Sequence, residues 1–227
     1  MRRGLTACLC AVVLLTGCGK SYWTESCGDC EVTLRDSGNT EKAVEIVVTV
    51  DGEETILKTL AVPAERISAE AFTDILGYSG FRLTERQGLA VQDPAQDWSL
   101  RTYYAVEDGS VLQIAESFGW GPPQDYSVDL DEDGSMELVN NVTYGGVGHQ
   151  DVHIFQRRPD GIWMGRLSTK NLPNHDDRGV TSTAVVYNAE RNVFEIRYLM
   201  KNSQEPGVVE SQGLERVEFT PYGVQEK

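Results

Sequence analysis

The residues with the clearest chemistry are Asp129, Asp131, Asp133 and Glu137, set in the run Asp129-Leu130-Asp131-Glu132-Asp133-Gly134-Ser135-Met136-Glu137-Leu138. Aspartates at the first, third and fifth places bring three carboxylates into one small volume. Gly134, at the sixth, permits the sharp turn that closes the loop. The backbone carbonyl of Ser135 can point inward at the seventh place, and Glu137 adds an oxygen at the ninth. Calcium is a hard cation that takes about 6–8 oxygen ligands, so this run predicts a calcium site. Without a cation the same carboxylates repel one another. The expected role is structural, with the ion pinning two chain segments together.

The loop starts like an EF-hand and finishes differently. Its twelfth place holds Asn140 rather than a bidentate Glu, and Tyr126-Ser127-Val128 and Leu138–Val142 read as strands. An Asp-x-Asp-x-Asp-Gly-x-x-Glu-Leu run between strands resembles the calcium loops of FG-GAP and VCBS-type repeats. Phe118-Gly119 upstream and the 152–167 hairpin downstream extend the likeness over residues 117–168. The resemblance implies side-chain ligands at Asp129, Asp131, Asp133 and Glu137, a carbonyl ligand at Ser135, and a blade-like sheet around them. Two features differ from such repeats: Glu132 stands where they often have Gly, and the loop occurs once.

The elements that must position this loop are mostly strands and turns. Val44 to Val50 is rich in β-branched residues, and Asp51-Gly52 turns it back towards Thr55–Val62. Residues 101–106 and 111–116 flank Glu107-Asp108-Gly109-Ser110. Residues 152–156 and 162–167 flank Pro159-Asp160-Gly161, residues 183–187 and 193–198 flank 188–192, and 214–220 forms a last strand. One helix is expected over Ser68–Gly77, with Ser68 as N-cap, Phe72, Ile75 and Leu76 as its apolar face, and Gly77 as its stop. The fold class is therefore mainly β: a hairpin-rich meander in a sandwich or a partial propeller-like sheet, with one short helix. Residues 43–227 are read as a single β-rich domain containing the calcium loop, 129–137.

The N-terminus carries an address. Arg2 and Arg3 precede an apolar run from Leu5 to Leu15, and small residues follow. Such a run is too short to span a bilayer, which takes about 20 apolar residues; it reads as a signal peptide, residues 1–17. Leu15-Thr16-Gly17-Cys18 resembles the lipobox of bacterial lipoproteins. That resemblance implies a diacylglyceryl group on Cys18, cleavage just before it, and anchoring on the extracytoplasmic side of the membrane. Residues 18–42 are polar and read as a tether with one short strand. Cys27 and Cys30 lie in it as a Cys-x-x-Cys pair, a possible disulfide or two free thiols rather than a redox centre, which would need a strand before it and a helix after it, or a zinc site, which would need a second ligand pair.

With residues 1–17 removed, 18 Lys and Arg face 35 Asp and Glu, a formal charge of −17. Such a surface repels nucleic-acid phosphates and favours cations. The expected partners are the membrane, through the lipid, and an unidentified extracellular or envelope ligand. His149 and His153 are four apart on an expected strand, too far for one shared zinc, and His175 reads as a solvated loop residue. Tyr103, Tyr104, Phe118, Trp120, Tyr144 and Trp163 cluster in sequence around the calcium region, as core rings or a stacking surface. The chain contains no Gly-x-Ser-x-Gly, His-Glu-x-x-His or phosphate-binding Gly loop. Two functions remain: a calcium-braced binding or scaffold module, or a hydrolase of envelope or carbohydrate polymers using acids such as Asp176 or Asp177.

Overall fold

A computed structural model describes residues 20–38, 43–87, 98–120, 124–144, 149–168, 180–200, 206–211 and 217–223. Within them the protein is mainly β, as the hairpin signals predict. The strands are β1 (Ser21–Cys27), β2 (Cys30–Asp36), β3 (Val44–Val50), β4 (Glu53–Leu60), β5 (Ile67–Ile75), β6 (Tyr78–Gln87), β7 (Trp98–Glu107) and β8 (Ser110–Trp120). They continue with β9 (Asp125–Val128), β10 (Glu137–Tyr144), β11 (His149–Arg158), β12 (Gly161–Leu167), β13 (Val180–Asn188), β14 (Val193–Met200), β15 (Pro206–Ser211) and β16 (Phe219–Pro221).

Three sheets result. The first has order β1-β2-β3-β4 and the second β5-β6-β7-β8; both are antiparallel meanders. The third runs β15-β14-β13-β11-β10-β9, with β12 added on β11 and β16 on β12. Its β11–β13 contact is parallel, a single bridge between Gln150 and Ala184. Two-residue turns set the register of several hairpins. Asp51-Gly52 (φ 52° and 83°) and Asp108-Gly109 (φ 50° and 75°) have positive φ at both central positions, the backbone that matches the natural twist of paired strands.

The second sheet is the middle layer. On one face Ile67, Ala69, Phe81, Leu83 and Tyr104 pack with Cys27, Val32, Leu34, Ile46 and Val48 of the first sheet. On the other, Leu76, Tyr103, Ala105 and Ile114 meet Leu138 and Phe155 of β10 and β11. The successive residues Tyr103 and Tyr104 thus serve opposite cores. A third core lies within the third sheet, where Val139, Val152 and Ile154 pack with Val185, Tyr187, Phe194 and Ile196. Each fully buried Val, Leu, Ile or Phe among them contributes about 1.5–3 kcal/mol by leaving water.

The second and third sheets are also joined by a buried ionic knot. Asp125 opens β9, and its side chain is 3% exposed. It accepts hydrogen bonds from the Tyr103 hydroxyl and from Asn140 Nδ2 at 2.9 Å. The Arg101 and Arg82 guanidinium groups stand at 3.4 and 3.6 Å. Arg101 is itself buried and donates from Nε to Ser117 Oγ at 3.1 Å. Burial, and then the Asp125 charge, push the Tyr103 phenol up, so it stays protonated as a donor.

Two sequence expectations are corrected. Residues 68–75 are not helical; they belong to β5, which pairs with β6 from Ile67↔Glu85 to Ile75↔Tyr78. The helical spacing of Phe72 and Ile75 has another origin. A register shift between them interrupts the alternation, so that Ile67 and Ala69 face one core while Phe72 and Ile75, partly buried, pack on the other. Gly77 does need a positive φ, 70°, but it shares a hairpin turn with Leu76 at 56° instead of ending a helix. The segment read as a tether also differs. Ser21–Cys27 and Cys30–Asp36 form a hairpin whose second strand pairs with β3 along its whole length. Ordered structure therefore begins well before Ala43. Cys30, Val32 and Leu34 alternate with polar residues and are buried, a strand pattern that the polar composition of 18–42 conceals.

Replacing Asp125 with Ala should remove about 3–5 kcal/mol of stability, because Arg101 is left buried without its counter-ion. Urea unfolding measures this. A loss under about 1 kcal/mol would mean that the knot does not hold the sheets together.

Candidate metal centre

The acidic loop joins β9 to β10, whose pairing closes at Val128↔Glu137. Asp129 follows the last residue of β9, and Glu137 is the first of β10. The strand ends therefore fix two of the acids, and the turn between them places the others. Glu132 (φ 60°) and Gly134 (φ 89°) supply the left-handed backbone that folds the turn inward.

Asp129, Asp131 and Glu137 each present an oxygen within 4.8 Å of the other two. The loop's own amides support them. Asp129 accepts from the backbone N–H of Asp133 (3.1 Å) and Gly134 (2.9 Å). Gln156 Nε2, from β11, donates to Asp131 Oδ2 at 3.2 Å. Glu137 Oε2 accepts from the Leu130 amide at 2.8 Å. Glu137 is buried, and its other oxygen, Oε1, has no partner.

Of the four acids singled out in the sequence, three gather. Asp133 lies outside this group; its Oδ1 accepts from the Ser135 amide at 2.7 Å and shapes the turn. Ser135 contributes that amide. Gln156 is a supporting residue that sequence reasoning missed, because nothing in the sequence marks one polar residue of a strand 25 positions from Asp131.

A buried carboxylate oxygen with no donor is costly. Burial pushes the Glu137 carboxyl up to about 7; the Leu130 amide and the nearby Gln156 side chain oppose the shift, and Asp131 and Asp133 add to it by repulsion. A divalent cation would relieve both the missing partner and the repulsion, and an all-oxygen set of hard donors suits calcium. The residues present thus fit the ion. Asp129, Asp131 and Glu137 would hold it, with the ion tying β9 to β10.

The remaining candidates are dispersed. Cys27 and Cys30 are buried free thiols facing each other across the β1–β2 turn, with the Cys30 thiol donating to the Cys27 carbonyl at 3.4 Å. Burial, then the neighbouring Cys27 and Asp29, push Cys30 up to about 11, which suppresses the thiolate. Tyr103 and Tyr104 point to opposite cores, while Phe118 and Trp120 are exposed on β8. Trp163 donates to Asp160 at 2.9 Å under the Arg158 guanidinium. His153 is buried opposite Asn140 in the β10–β11 register, beside Phe118. Cys18, His175, Asp176 and Asp177 lie outside the described residues.

The fold and this loop define a mainly β protein of three layers with an acidic inter-strand turn. No family model matches the chain, and no curated protein or solved structure matches it either.

Burial, then Arg166, push the His153 imidazole down to about 4, while Asp151 opposes them. An unfolded His titrates near about 6.5. The unfolded chain therefore takes up the proton first as pH falls, and stability is lost between those two values. Going from pH 7 to pH 4.5, this residue alone should cost about 2–3 kcal/mol. His153→Gln should remove that share of the acid destabilisation; matching pH profiles for the two proteins would contradict it.

Proposed function

We propose that this chain is a membrane-anchored extracytoplasmic lipoprotein whose β-rich domain is braced by calcium and acts as a binding or scaffold module. The observation that carries the calcium part is Glu137 Oε1, a buried carboxylate oxygen without a donor, in reach of Asp129 and Asp131. Structural cohesion is the role that follows from its place. The loop connects β9, which carries the Asp125 knot, to β10, which lies at the centre of two cores. The anchor part rests on the sequence alone: Arg2 and Arg3, the apolar run and Leu15-Thr16-Gly17-Cys18.

The −17 charge of the chain after residue 17 suits this reading. Calcium is attracted to such a surface, while nucleic acid is repelled.

Calcium should raise the melting temperature of the protein, because it binds the folded loop and not the unfolded chain. At a hundredfold excess over its Kd the gain is about 2.7 kcal/mol. Glu137→Gln should abolish the response while leaving stability in chelator equal to or above that of the parent, since the buried charge is gone. An unchanged melting temperature for the parent in calcium would remove the ion from the account. For the anchor, radiolabelled palmitate should enter the parent in a bacterial host, and Cys18→Ser should block it and release the protein from membranes.

A further inference from the structure

A groove of about 320 Å³ opens directly beside the acidic loop. One wall is the end of that loop, Gly134-Ser135-Met136; the other is the β5–β6 turn with Asp74, Leu76 and Gly77; Arg157 of β11 completes it. Its volume lies at the small end of the roughly 300–1,000 Å³ usual for ligand sites. The two walls come from different sheets. They are tied together by the Ser127 hydroxyl, which donates to the Asp74 carbonyl at 3.2 Å.

Arg157 is held in place with donors to spare. Its guanidinium carbon lies 4.0 Å from the centre of the Tyr78 ring, a cation–π contact that favours this position. Its polar contacts are weak: NH1 to the Gly77 carbonyl at 3.4 Å, and NH2 to Glu107 at 4.0 Å, an exposed pair at the limit of an ion pair. A planar, oriented fork of N–H groups is the arrangement that recognises a carboxylate. Met136, 39% exposed, gives the groove its accessible apolar surface above the buried Leu76, and Met adapts to varied shapes. Asp74 adds an acceptor on the opposite wall. Three features of a ligand follow: a carboxylate for Arg157, an apolar group for Leu76 and Met136, and an N–H donor for Asp74.

We propose that this groove binds the C-terminal end of a short peptide with an apolar last residue, and that it does so only when the adjacent loop holds calcium. The inference rests on the calcium reading above and adds the ligand class and its control. The groove-lining segment 134–136 is bounded by Asp133 and Glu137, and Asp129 and Asp131 lie in the same loop. Bare, those charges repel an incoming carboxylate. A divalent ion offsets two of those charges and so weakens the repulsion, and by tying Asp129, Asp131 and Glu137 together it would hold this wall of the groove in place.

The test uses the protein labelled with ¹³C at its methionine methyls, one of which, on Met136, lines the groove. The probes are the dipeptide Leu-Leu and its C-terminal amide, with calcium or with chelator. In calcium, Leu-Leu should shift the Met136 methyl resonance in a saturable way. The amide should bind at least tenfold more weakly, as should Leu-Leu in chelator or with Arg157→Gln, a variant whose melting temperature in calcium should equal that of the parent. No saturable shift with Leu-Leu, or an equal response to the amide, overturns the peptide site. Equal binding with and without calcium overturns the control. These outcomes are separate from the fate of the calcium reading: a melting temperature that rises with calcium while the Met136 methyl stays still would sink only the groove.

Discussion

Asp125 is a carboxylate placed where almost no water reaches it, and the relation between two of the three sheets depends on its being satisfied there. It projects from the third sheet into a nest of groups supplied mainly by the second: the Tyr103 hydroxyl and the Arg101 and Arg82 guanidinium groups, with Asn140 from its own sheet. Apolar packing between the sheets is not directional and would tolerate sliding. A buried charge with four specific partners does not, because each displaced partner leaves an unsatisfied group. The knot therefore sets the register of one layer on the other.

That register reaches the acidic loop through a single short strand. β9 has four residues; Asp125 is the first, and Asp129 follows the last. The start of the loop is thereby fixed relative to the middle sheet. Its end is fixed because Glu137 leads into β10, where Leu138 and Val139 enter two different cores. The loop's own backbone then needs only its amides and two positive-φ positions to bring Asp129, Asp131 and Glu137 together. The rigid framework accounts for the carboxylates remaining close although they repel.

How much of this was legible depended on whether the signal was local. Hairpin turns were legible: Asp51-Gly52 and Asp108-Gly109 demand a backbone that few other pairs tolerate, and both occur where expected. The acidic loop was legible as a motif, but the place of Asp133 outside the cluster was not, since the spacing alone does not say where each carboxylate of the turn points. The Ser68–Gly77 helix failed because its pattern came from a strand shared between two cores. No rule of periodicity anticipates a neighbour on each face. The Asp125 knot was invisible for a related reason: Arg82, Arg101 and Tyr103 converge on it only after β6 has paired with β7 and β9 of another sheet has packed against them. Asp74 and Arg157 were unmarked in the same way.

The early start of the first strand has a geometric consequence. Only positions 19 and 20 separate Cys18 from Ser21, where β1 begins. Fully extended, that length of chain covers roughly 10 Å. With a lipid on Cys18, the first sheet would rest against the headgroups instead of swinging on a long leash, and the strongly acidic body would be pressed towards a bilayer that repels it wherever anionic lipids are abundant. Divalent cations near the surface would then ease the approach of the whole molecule.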